Sequence, residues 1–116
     1  MNGSEAGNPM LSNLLDIIAD LSDKDYQKKA WVRGEPPGSD FDETVCQFAD
    51  LVNPILVRYR EFGITEKQQV ILIKFREKFE AFWEENHWPP DFIDTPEWDE
   101  IVNMAKEVLA AFDYKR

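Results

Sequence analysis

Apolar residues recur along this chain at spacings of three and four, the repeat of a helix face and not of a strand. Leu11, Leu14, Leu15, Ile18 and Leu21 share one such face, with Asn13, Asp16 and Asp20 opposite. They predict a first helix from Pro9. Ser22 followed by Asp25 matches a capping box and predicts a short second helix. That helix turns Tyr26, Ala30 and Trp31 inward and Lys24, Lys28 and Lys29 outward, and it stops near Gly34 because Pro36 and Pro37 follow. The stretch 34–38, GEPPG, reads as a stiff connector.

The longest seam is Phe41, Val45, Phe48, Val52, Ile55, Tyr59 and Phe62, capped at its start by Ser39 or Asp40. Pro54 lies inside it, and a proline removes one backbone hydrogen bond and crowds the preceding turn, so a kink between Asp50 and Pro54 is predicted. Gly63 ends this helix with left-handed backbone, and Thr65 with Gln68 forms a capping box for the next. So short a connection makes the two helices antiparallel neighbours.

The following helix opens with Val70, Ile71, Leu72 and Ile73 and continues with Phe75, Phe79, Phe82 and Trp83. This apolar face is too wide for a helix lying on a surface, and it predicts the central helix of a bundle with Phe75 and Phe79 in the core. Pro89 and Pro90 predict an irregular stretch from His87 to Asp94, laid across one end of the bundle by Trp88, Phe92 and Ile93. Asp94 or Thr95 caps the last helix and Pro96 takes its first position. Trp98, Ile101, Val102, Ala105, Val108, Leu109 and Phe112 form its buried face. The fold class is therefore all-α: a single-domain bundle of four main helices plus a short extra helix, the third helix kinked at Pro54. Residues 1–8 carry no large apolar side chain beyond Met1 and are expected to be a flexible tail ahead of a bundle domain spanning 9–116.

The 116 residues suit one domain. No apolar run approaches the roughly 20 residues that cross a bilayer. The N-terminal stretch has neither a basic start nor an apolar segment, so a secretory signal is not expected. The single cysteine, Cys46, cannot form an internal disulfide, and a cytoplasmic location follows as the expectation. Charge changes the picture most. Thirteen basic residues face twenty-three acidic ones, a net charge of −10. Such a surface repels nucleic-acid backbones and anionic membranes and accelerates encounters with basic proteins.

Catalytic, cofactor and metal motifs do not appear. His87 is the only histidine, and Cys46, expected half-buried beside the core seam, has no histidine near it in sequence to activate it. The five glycines form no phosphate loop. Asp91, Asp94, Glu97, Asp99 and Glu100 place five acids within ten residues around a helix start. The helix dipole accounts for Asp94, Glu97 and Asp99 but does not call for Asp91 or Glu100. Trp88 and Trp98 flank the cluster, and a ring beside acids suits an interface with a basic partner. A second acidic group, Asp42, Glu43 and Asp50 with Asp40, lies near the start of the third helix. The candidate partner-binding residues are Trp88, Asp91, Asp94, Glu97, Asp99, Glu100, Asp42, Glu43 and Asp50.

Trp31-Val32-Arg33-Gly34, the run from Asp40 to Val45 (DFDETV), and Thr95-Pro96-Glu97-Trp98 resemble landmarks of short helical immunity proteins of bacterial toxin systems, contact-dependent growth inhibition among them. The resemblance implies inhibition of a cognate toxin domain, often a basic nuclease, by covering its active site. A non-enzymatic, cofactor-free protein that is a monomer when free is the leading expectation. The alternative is a helical interaction or dimerisation module without a toxin partner, and an enzyme stands third.

Overall fold

The computed structural model describes residues 9–35 and 40–114, and all regular structure among them is helical. The expected tail at 1–8, most of the 34–38 connector and the Ser39 cap lie outside the described residues. Four long helices carry the fold: α1 (Pro9–Leu21), α3 (Phe41–Val57), α4 (Glu66–Glu85) and α6 (Pro96–Ala111). Two four-residue helices, α2 (Lys24–Gln27) and α5 (Pro89–Phe92), sit at the corners between them. A wider π-helical turn, Lys28–Val32, continues α2, and Gly34 at φ 67° follows it.

Local chemistry sets most of the ends. Asp40 caps α3 by accepting from the Glu43 N–H. Thr65 and Gln68 close a full capping box on α4, at 3.1 and 2.9 Å. Thr95 caps α6 by accepting from the Trp98 N–H, with Pro96 at the first position. Each cap satisfies an amide the helix itself leaves open. At α2 the expectation is corrected. Asp23, not Ser22, is the cap, and the Ser22 hydroxyl turns back to donate to the Ala19 carbonyl at 2.7 Å.

Helix α3 passes through Pro54 without a break but ends at Val57, short of the expected Phe62. Arg58 leaves helical backbone at φ −113° and ψ 36°, and Tyr59–Phe62 forms one 3-10 turn closed by Gly63 at φ 73°. A 3-10 turn repeats every three residues. Tyr59 and Phe62 therefore still face the core, half-buried. The stretch expected to be irregular between His87 and Asp94 also contains a helical turn, α5. Proline is unfavourable inside a helix but suits its first turn, where the missing N–H has no partner to lose.

The central position belongs to α1, not to α4. Six of the 13 residues of α1 are buried, and the helix packs against α3 and against α6. In α4 only Leu72, Phe75 and Phe79 are fully buried, while Ile71, Ile73, Phe82 and Trp83 are half-buried and Val70 is 48% exposed. That helix packs mainly on α6 and more lightly on α3. Its apolar face is wide in sequence but only partly covered.

Trp98 organises the corner where α4, α5 and α6 meet. It is fully buried, and its ring lies 4.9 Å from Phe92, 5.2 Å from Phe82 and 5.9 Å from Trp31. Such ring pairs contribute about 0.5–1.5 kcal/mol each beyond the area they bury. The Trp98 Nε1–H donates to the buried Gln27 Oε1 at 2.8 Å, and Gln27 Nε2 donates to the Asp20 carbonyl at 2.9 Å. A ring and an amide far apart in sequence thus pin α6 to the α1–α2 corner.

Candidate functional site: the acidic faces of α4 and α6

The five acids from Asp91 to Glu100 do not form one patch. Asp94 and Asp99 turn toward α2, where Lys24 Nζ lies 2.7 Å from Asp99 and 3.6 Å from Asp94, and Lys28 Nζ lies 3.5 Å from Asp94. The hydrogen bond to Asp99 raises the Lys24 pKa above its ordinary 10.5; partial burial opposes it and the charges of Asp99 and Asp94 add to it. These two acids serve the fold, and they take up Lys24 and Lys28, two of the three lysines on the outward face of this helical stretch. Asp94 is not the cap of α6, since Thr95 holds that place.

Asp91, Glu97 and Glu100 turn the other way. With Glu85 they line a hollow of about 530 Å³ between the C-terminal half of α4, α5 and the start of α6. Phe82 and Phe92 also line it, and Lys78 is its one basic residue among the described residues. Lys78 Nζ pairs with Glu100 at 2.7 Å. Among the described residues Glu85, Asp91 and Glu97 have no ion-pair partner. Trp88, at the N-cap of α5, is 63% exposed, unlike its neighbours Phe92 and Ile93, which are buried. The two tryptophans, Trp88 ahead of the cluster and Trp98 within it, therefore separate: Trp98 is core and Trp88 is surface.

The acids of α3 stand apart from this hollow. Asp42 and Glu43 occupy the first turn behind the Asp40 cap, and all three acids, Asp42, Glu43 and Asp50, are exposed without lining it. A separate groove runs between α3 and α4, about 170 Å³ in volume, with Val45, Phe48 and Phe79 among its lining and Glu80, Trp83 and Glu84 along α4. Cys46 lines the same groove and is exposed, which corrects the expectation of a half-buried thiol. Thr44 and Val45 both face the core, and Cys46, a further ~100° round α3, lies beyond the buried arc.

The expected partner-binding residues do not include Glu80, Glu84 or Glu85. A signal for the last two exists. Acids near a helix C-terminus oppose the dipole and cost about 0.3–1 kcal/mol each instead of stabilising it. Helix α4 has no basic residue in its last turn to offset them. The dipole therefore does not account for Glu84 and Glu85, which lie in that last turn; Glu80 stands a turn further in.

No group of three or more metal-binding side chains occurs among the described residues, and His87 is exposed against Trp83 with ring centroids 6.2 Å apart. General acid–base work at neutral pH calls for carboxylates withdrawn from water. All four in the hollow are exposed. No helix among the described residues is long and apolar enough to cross a membrane. Comparison with protein-family models, curated proteins and solved structures gives no match.

Proposed function

We propose that this chain is a non-enzymatic inhibitor that binds a cognate toxin domain and neutralises it by covering a basic active-site or substrate surface. The observation that carries this reading is the α4–α5–α6 hollow, where Glu85, Asp91 and Glu97 have no ion-pair partner among the described residues and Trp88 stands exposed at the adjoining corner. Exposed, unpaired carboxylates favour charge complementarity over acid–base chemistry. The net charge of −10 extends the same field over the molecule and accelerates encounter with a basic surface such as the nucleic-acid groove of a nuclease. The setting that suits this role is the cytoplasm, with the free protein a monomer.

The test begins with the coding sequence directly upstream of this chain: a large toxin gene there supports the reading, and its toxin domain is the partner to express. Co-expression is expected to protect cells from it, and the two proteins should purify as a stoichiometric complex. Association should slow strongly as salt rises while dissociation changes less. The double reversal Glu85→Lys with Asp91→Lys should slow association in low salt and leave the fold intact, since both side chains are exposed. Salt-insensitive association, unaffected by the double reversal, would remove the hollow from the binding face.

A second reading, a helical interaction or dimerisation module, draws on the exposed Val57 and Val70, at 83% and 48%. Sedimentation across a concentration series separates the two, because only this second reading expects the free chain to self-associate.

A further inference from the structure

The groove between α3 and α4 is a different surface from the acidic hollow, on the other side of the same helix. Its lining is mostly apolar, and its ionisable residues besides Cys46 are the two carboxylates Glu80 and Glu84. Among the described residues no lysine or arginine lines it. We infer that this groove docks a basic helix of a partner protein, seating one large apolar side chain on Val45, Phe48 and Phe79 while lysines or arginines of that helix pair with Glu80 and Glu84.

Size sets the anchor. A volume of about 170 Å³ holds one large aliphatic or aromatic side chain and not a whole apolar stripe. Spacing sets the flanks. Glu80 and Glu84 are one turn apart, about 6 Å along α4, and basic residues at i and i+4 of a partner helix have the same rise. An extended segment would need a sheet edge to satisfy its backbone, and two helices offer none. Charge sets the sign. A second copy of this chain would bring its own Glu80, Glu84 and a net charge of −10 against the same residues, so self-docking is disfavoured. Glu84 also lies in the last turn of α4 with no ion-pair partner among the described residues, at a cost to the helix that binding a cation would offset.

Cys46 supplies the readout, because it lines the groove, is exposed and is the only cysteine. The probe is a synthetic helical peptide of about five turns, rich in alanine and lysine, with one leucine between lysines one turn apart. At ten times its Kd the peptide should slow alkylation of Cys46 by about tenfold. The same peptide with serine in place of leucine should give little protection. The double variant Glu80→Lys with Glu84→Lys should abolish protection while keeping its helical circular dichroism, since lysine suits a helix C-terminus better than glutamate does. Unchanged alkylation in the presence of the leucine peptide overturns the inference. Equal protection by the serine peptide, or of the reversed variant, does so too. Protection that rises with protein concentration alone, together with a sedimenting dimer, would assign the groove to a second copy instead. Asp91→Lys should leave peptide protection unchanged, so failure of the toxin reading at the hollow and failure at this groove are separately visible.

Discussion

At the scale of single residues, the Gln27–Trp98 pair is the most sharply defined polar feature of the interior. Both side chains are fully buried, and each would be left with an unmet group if the other were cut back. An orphaned buried donor or acceptor costs about 1–3 kcal/mol. Gln27→Ala should therefore destabilise the protein by at least that amount, with a cavity term added. Trp98→Phe should also cost stability, but the double variant should lose less than the sum of the singles. Urea unfolding of the four proteins of this cycle measures the coupling. A coupling near zero would mean that the hydrogen bond contributes nothing and that Trp98 acts through its ring contacts alone. The partner was not legible beforehand, because 71 residues separate the two side chains and no local pattern links them.

At the scale of elements, the turn at Gly63 joins two helices that must fold back on each other. Its φ of 73° lies in the left-handed region, and an added Cβ would meet no atom within 4 Å. The cost of Gly63→Ala is then the backbone penalty alone, about 1–2 kcal/mol. Gly63→Asn should cost less, since asparagine tolerates this conformation. Thermal melts of the two variants check the order, and an alanine variant as stable as the parent would contradict the left-handed assignment. The glycine itself was readable from position, one residue past an apolar seam and just before a capping box. The 3-10 turn in front of it was not, because the apolar repeat continues across Val57 and only the backbone at Arg58 departs from it.

At the scale of the whole molecule, charge does two jobs. Lys24 and Lys28 tie α2 to the start of α6 through Asp99 and Asp94. The folded-state pKa of Lys24 is raised, so its contribution to stability is complete below the ordinary value of 10.5 and is lost as pH rises through the folded value. The stability difference between the parent protein and Asp99→Asn should accordingly be constant through neutral pH and shrink in strongly alkaline solution. Denaturant titrations at a series of pH values measure it; a difference that persists unchanged at the alkaline end would show that Asp99 acts without Lys24. Asp91, Glu97 and Glu85 enter no such pair among the described residues and are left to the surface.

Most caps, the turn glycine and helix phase were readable because each depends on residues within a turn or two of one another; the cap of α2, Asp23 and not Ser22, was the exception. Asp40, Gly63, the Thr65–Gln68 box and Pro96 behave as their local chemistry dictates. So do Phe75 and Phe79, buried at 0% and 1%. Only the tertiary structure decided which acids are already neutralised, which tryptophan is exposed, that α1 and not α4 has the most covered face, and that Cys46 opens onto a groove. These outcomes depend on which helix faces arrive opposite one another. Lys24 meets Asp99, and Lys78 meets Glu100, across distances that no repeat of three or four residues records. Sequence by itself determined the helices and their apolar faces; the packing of those faces determined which charges remain free to meet a partner.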